Sequence, residues 1–234
     1  MVKALKYLLK EGIQVYQMFI SYLPGTAGVV LRYRYWRKRL RYLGKNVKID
    51  VGVYFQNPEH ISIGDNSWID RGVIILAGPD KSKRERRYIP NPDYQLEKGE
   101  VYIGKYVHIS PYVTISGIGG VYISDECGIA AGSKIYSFSQ HYRSDKAPGR
   151  QDIIFGPQVS HEQQFVIEGP IYLGKNVGVA MDSIILPGVS IGDNSFVALK
   201  SVVKDSFGEN SIVAGNPAKK VKDRFLDVGY RHNE

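Results

Sequence analysis

The sequence predicts a mainly β solenoid of short stacked strands. Three observations predict it: an aliphatic residue every six positions, a glycine or alanine beside it, and polar loops where the count breaks. From Leu173, counting by six meets Val179, Ile185, Ile191, Val197 and Val203. Gly or Ala follows at 174, 180, 192 and 198, with Leu186 and Lys204 the exceptions. The pattern recurs in Ile63-Gly64, Ile69, Ile75; in Ile103-Gly104, Ile109, Ile115; and in Ile123, Ile129, Ile135. Leu43-Gly44, Ile49 and Phe55 open the series.

A period of six is neither helical nor a plain strand alternation. It suits a short strand, a tight corner, then another strand, with each large aliphatic pointing inward. The small neighbour is expected to let the backbone turn without a Cβ clash. Gly64-Asp65, Gly174-Lys175 and Gly192-Asp193 mark expected corners. The segments are not all in one frame, so loops must separate them. Residues 78–99, with five basic side chains among 81–87, and residues 137–166 are these loops. Long loops on a regular scaffold often carry function.

A solenoid has two ends to cover. The spacing of Leu5, Leu9, Ile13, Tyr16, Ile20 and Leu23 predicts an amphipathic helix, broken at Pro24-Gly25 and followed by a second helix into Arg32–Arg41. This assigns residues 1–42 to an N-terminal helical segment, 43–218 to the repeats, and 219–234 to a short C-terminal capping helix and tail. Charge sets the first segment apart. Residues 1–48 hold eleven Lys/Arg and one acid, a net +10, while the remainder holds twenty Lys/Arg and twenty-two Asp/Glu, a net −2. An anionic partner is expected there, and a membrane surface fits better than nucleic acid, for which no fingerprint is present. The uncharged stretch 12–31 reads as an interfacial helix rather than a span, because it carries glutamines, Ser21, Thr26 and the Pro-Gly break. Packing on the body of the protein is the plainer use of the same face. The opening stretch does not read as a cleavable leader. Cys127, the only cysteine, sits in an apolar repeat and reads as a core residue, which leaves the cytosol as the expected compartment.

The stretch LGKNVGVAMDSIILPGVSIGDNSFVALKSVV, followed by SIVAGNPAKKVK, resembles the hexapeptide-repeat acyltransferases. The likeness covers roughly residues 43–225, and the lead-in LPGTAGVVLRYRYWRKRLRYLGKNV is similar to the polysaccharide O-acetyltransferase branch. The resemblance implies a left-handed parallel β-helix, a homotrimer, sites between subunits, and acetyl-CoA as acyl donor with no metal. It implies that His141, directly after a full repeat run, is the general base on a sugar hydroxyl. Imidazole suits that task because its pKa lies near operating pH. His161 is the rival histidine; His60, His108 and His232 look structural or solvated. Asp145 is a candidate to orient the His141 ring, with a backbone carbonyl as the alternative.

The resemblance also places the N–H of Met181, following Ala180, as donor to the developing oxyanion. Gly178 stands where the family usually has Trp, and Ala198-Leu199-Lys200 replaces a usual Gly-Ala-Gly. Lys204, Lys219 and Lys222 match positions that meet the nucleotide end of CoA, with exposed lysines capping a helix as the alternative, and Lys200 reaches a CoA phosphate or is solvated. Ser116-Gly117-Ile118-Gly119-Gly120 lacks the acid that galactoside and maltose acetyltransferases carry, which leaves the acceptor open. The expected activity is O-acetylation of a sugar in cell-surface polysaccharide biosynthesis, with N-acylation of an amino sugar as the alternative. A γ-carbonic-anhydrase-type metalloprotein needs converging histidines, and His141 and His161 lack close partners. A non-catalytic scaffold is the remaining alternative.

Overall fold

The computed structural model describes residue 12 and residues 15–225 except 157. Its strands form three faces that the chain visits in turn. The first face orders Tyr42–Leu43, Ile61–Ile63, Val101–Ile103, Val121–Ile123, Ile171–Leu173 and Ser190–Ile191. The second runs through Lys48–Ile49, Trp68–Ile69, His108–Ile109, Gly128–Ile129, Gly178–Val179, Phe196–Val197 and Ser211–Gly215. The third orders Tyr54–Gln56, Ile74–Leu76, Thr114–Ser116, Lys134–Tyr136, Ile184–Ile185 and Val202–Val203. All these pairings are parallel, and Leu173 lies over Ile191 as Val179 lies over Val197. Three hexads therefore make one coil, and the predicted aliphatics form inward columns: Ile63, Ile103, Ile123; Ile69, Ile109, Ile129; Ile75, Ile115, Ile135, all fully buried. Each contributes about 1.5–3 kcal/mol by leaving water.

The corners fall where the dipeptides predicted them, for a different reason. The left-handed backbone sits at the residue two beyond the small one: Asn46, Asn66, Asn176 and Asn194 all have φ between 56° and 60°. Asparagine tolerates that region. The glycine is needed for close stacking of coils. A Cβ on Gly64 would lie 2.6 Å from the Gly104 carbonyl carbon, and one on Gly192 would lie 2.3 Å from Glu209 N.

Two helices close the first coil: α1, of which residues 15–22 are described, and α2, Gly25–Arg37. Leu5, Leu9 and Ile13 lie outside the described residues. Trp36 packs edge-on to Phe55 at 4.8 Å, which seats α2 on the opening of the solenoid. Arg32, only 1% exposed, ties the junction together. Its guanidinium donates to the Ile20 and Leu23 carbonyls at the end of α1 and to the Ile49 carbonyl of the first coil, and Asp50 lies 3.9 Å away. The N-terminal segment is thus a cap, as the plainer reading expected.

The C-terminal helix expected from residue 219 is not formed. Ala218–Asp223 is a strand that turns back antiparallel on Ser211–Gly215. The last coil presents a row of unpaired backbone groups, and a hairpin satisfies them where a helix would leave them open.

Replacing Arg32 with Ala should lower unfolding free energy by about 3 kcal/mol, because three buried carbonyls lose their donor. Denaturant unfolding measures this; a loss below about 1 kcal/mol would show that the junction does not depend on Arg32.

Candidate active site

Both long insertions leave the solenoid at one corner, between the third face and the first. One lies between Leu76 and Val101, the other between Tyr136 and Ile171. They are not independent loops. Phe138–Gln140 pairs antiparallel with Phe165–Glu168, which pairs parallel with Glu85–Tyr88, giving a small three-stranded sheet built from both. Glu168, with a side chain 0% exposed, staples them: Arg86 Nε lies 2.6 Å and Lys98 Nζ 2.7 Å from its carboxylate.

His141 follows directly from this sheet and is only 6% exposed. Its backbone N–H donates to the Phe165 carbonyl at 2.8 Å. Its Nδ1 lies 2.7 Å from the Arg143 carbonyl and 3.3 Å from the Arg143 N–H. A carbonyl can only accept, so the shorter contact places the proton on Nδ1 and leaves a lone pair on Nε2. That is the tautomer of a general base. The ring is thereby held by a backbone carbonyl, the alternative to Asp145 that the sequence left open. The Asp145 carboxylate forks onto Arg87, with Nε at 2.6 Å, and this hydrogen bond lowers its pKa. A planar guanidinium matches a carboxylate in two parallel hydrogen bonds, which makes this a strong pairing.

Sequence reasoning missed Glu85. It accepts from the Ser144 hydroxyl at 2.8 Å and from the Asp145 and Lys146 N–H groups at 2.8 and 3.0 Å, so it holds the turn that follows His141. Burial works to raise its pKa, but these hydrogen bonds outweigh it and the net shift is downward. Nothing in the sequence marks it, because it stands within the basic 81–87 run and its partners are 59–61 positions away.

Met181 stands at the corner between the second and third faces, the opposite edge of the third face from His141. Ala180 N–H is used in the ladder, donating to Val197, and Ala198 donates to Val213. The Met181 and Leu199 N–H groups have no acceptor among the described residues, and both side chains are exposed. Lys200 takes the left-handed corner position, φ 55°, that Gly52, Gly72 and Gly132 occupy in other coils. Lys204 and Lys219 converge on Asp205, at 2.9 and 3.6 Å. Lys222 lies apart, opposite Ile212 in the terminal hairpin. The chain thus brings Ala180, Met181, Ala198, Leu199 and Lys200 to one corner and His141 to another.

Burial pushes the Cys127 thiol up to about 12, consistent with a core residue. Among the described residues no group of three His, Cys, Asp or Glu side chains could hold a metal ion.

No family model matches the sequence. A dTDP-4-amino-4,6-dideoxy-D-glucose acyltransferase of Escherichia coli is 30% identical over 182 residues, covering 78% of this chain and 81% of that one. The chain belongs to the hexapeptide-repeat acyltransferases. Its parallel coils are the left-handed β-helix of that family. The E. coli K12 protein WbbJ, assigned to lipopolysaccharide biosynthesis as an O-acetyl transferase, is 29% identical over 125 residues, 53% of this chain and 61% of its own length. Among solved structures, a single-site variant of AntD, an N-acyltransferase from Bacillus cereus bound to dTDP and coenzyme A, superposes with a TM-score of 0.66. It is 26% identical, and the match covers 87% of this chain and 91% of that one. The acyltransferase chemistry of the family is the chemistry to which the His141 geometry is suited.

The insertion sheet should loosen in acid before the β-helix does. Asp80 lies on the same insertion. Burial alone would raise its pKa, yet hydrogen bonds from Ser82 and Arg84 bring it from 3.8 to about 2. A depressed carboxylate pKa gives stability that is present above the unfolded value and lost as pH falls through the folded one. Hydrogen exchange, corrected for intrinsic rates, should therefore show protection of 85–88 and 165–168 declining between about pH 4 and 2 while the inward columns stay protected. Uniform protection to pH 2 would contradict it.

Proposed function

We propose that this protein transfers an acyl group from acyl-CoA to a nucleotide-linked sugar used in polysaccharide assembly, by direct attack and without an acyl-enzyme. The observation that carries the reading is the His141 imidazole, whose Nδ1 proton is fixed on the Arg143 carbonyl so that Nε2 is free to take a proton. The acceptor attacks the thioester carbonyl, His141 removes its proton, and the C–S bond breaks as the new bond to carbon forms. The proton then passes from His141 to the leaving thiolate. The Met181 N–H, with no other acceptor, receives the carbonyl oxygen as it becomes negative. Small side chains at Ala180 and Ala198 leave room for the pantetheine arm. Lys204 and Lys219 supply charge for its phosphates, as does Lys200.

Because His141 and Met181 stand at opposite edges of one face, each active site combines His141 of one copy with the Met181 corner of a neighbour in a closed trimer. The acyl donor and a nucleotide-linked acceptor are cytosolic metabolites, which places the reaction in the cytoplasm. An amino sugar is favoured as acceptor by the dTDP-4-amino-4,6-dideoxy-D-glucose on which the E. coli relative acts and by the dTDP-bound AntD complex. A hydroxyl acceptor, as the sequence suggested, is the second reading. A positioned base favours it, since a hydroxyl needs proton removal to attack and a neutral amine does not.

His141→Ala should lower turnover roughly 10²–10⁴-fold with little change in CoA affinity by calorimetry. Near-normal turnover would sink the assignment. Met181→Pro removes the free N–H at a corner type that accepts proline, since Pro111 stands at the equivalent position two coils earlier, with Ala131 between them. It should fold normally and lose roughly 10²–10³ in kcat; full activity would exclude this donor. Sedimentation should give three times the 26.3 kDa chain, and a fully active monomer would refute shared sites.

A further inference from the structure

We propose that α1 lies on the surface of an anionic bilayer, with its outer face inserted among the lipid headgroups. The helix is turned inside out. Val15, Met18, Phe19 and Tyr22 occupy positions i, i+3, i+4 and i+7, one stripe of an α-helix, and are 60–67% exposed. The side toward the body carries Ile20, which is buried, together with polar groups. Gln17 accepts from the Tyr35 hydroxyl at 3.1 Å, and Ser21 is buried with its carbonyl accepting from Gly52 N–H at 2.9 Å. A surface helix of a soluble protein normally has its polar side outward. A helix anchored by its polar side, with Met, Phe, Val and Tyr left outside, needs another medium to cover that stripe.

Charge identifies the medium. There is no Asp or Glu from residue 12 to residue 49. Arg34, Arg37 and Lys38 of and just beyond α2 are exposed, and they line one groove with Val30 and with Tyr16 of α1, the neighbour of Val15 in the chain. Apolar anchors flanked by cations match the headgroup region of an anionic leaflet, where each Lys or Arg contributes on the order of 1 kcal/mol. A second copy of the same face would instead bring like charges together. Among the described residues no helix is long and apolar enough to cross a membrane, so the contact is interfacial. Of the apolar residues that the sequence singled out on α1, Ile20 is buried against the body while Tyr16 is 55% exposed, and the stripe that meets lipid is that of Val15, Met18, Phe19 and Tyr22.

The test uses the full chain, pelleted with vesicles of phosphatidylcholine containing phosphatidylglycerol and with vesicles of phosphatidylcholine alone. The wild-type protein should partition to the anionic vesicles. The Met18→Glu/Phe19→Glu double variant, altered at exposed positions and checked for unchanged thermal unfolding, should bind at least about tenfold more weakly. Arg34→Gln/Arg37→Gln should bind several-fold more weakly and show a flatter salt dependence. Wild-type protein that ignores the anionic vesicles would overturn the proposal, and so would a Met18→Glu/Phe19→Glu variant that binds as well as wild type. If that variant instead shifts to a smaller assembly, the stripe is an interface between copies and the membrane reading falls. None of these outcomes depends on the catalytic assignment, which is read from turnover.

Discussion

Everything in this molecule follows from the stacking of one coil on the next at strand-ladder spacing, about 4.8 Å. At that distance the coils share backbone hydrogen bonds on three faces and aliphatic side chains inside, and nothing larger than a glycine fits between certain corners. The Gly44, Gly64, Gly104, Gly174 and Gly192 positions are all of this kind: a Cβ there would come within 2.3–2.6 Å of the neighbouring coil. The six-residue period is the covalent record of that constraint. It also dictates where variation is allowed. A coil can grow only at a corner, and here both insertions leave from the same one, in coils separated by a single intervening turn through residues 117–120. Shared exit is what lets them meet.

Their meeting converts flexible insertions into a rigid mount for one side chain. Strand pairing fixes Phe138–Gln140 against Phe165–Glu168, the buried Glu168 carboxylate binds Arg86 and Lys98 from the other insertion, and Glu85 holds the turn after His141. The imidazole is thus positioned by strand pairing, ion pairs and hydrogen bonds between the two insertions. The opposite corner needs no such apparatus. Its free N–H at Met181 is a by-product of the coil geometry, since the residue before each left-handed corner position has no partner in the ladder.

The repeat was legible because it is local: one aliphatic every six residues, with asparagine and glycine at fixed offsets. His141 stood out in the sequence by its place after the Ile123–Ile135 run and by family likeness, and its role as the base is what we propose. What could not be read was whatever depends on contacts between distant segments. The Arg87–Asp145 pair spans 58 positions, and only that pairing explains why Asp145 does not reach the His141 ring. Glu85 was invisible for the same reason. The terminal helix was misread because residues 219–225 alternate basic and apolar groups ambiguously, and the deciding factor is the open edge of the last coil. The orientation of α1 was likewise hidden, since both of its sides carry large apolar residues and the contacts that seat one of them, such as Tyr35 on Gln17, come from a separate segment.

The central claim is that His141 of one copy works with the Met181 corner of another. Co-assembly of two inactive chains, His141→Ala and Met181→Pro, tests it most directly. If sites lie between copies, mixed assemblies contain interfaces where an intact His141 meets an intact Met181 N–H, and random mixing should restore about a quarter of wild-type turnover per site. If each chain built its own site, every site would carry one lesion, and mixed assemblies that stay as inactive as either parent would contradict the account.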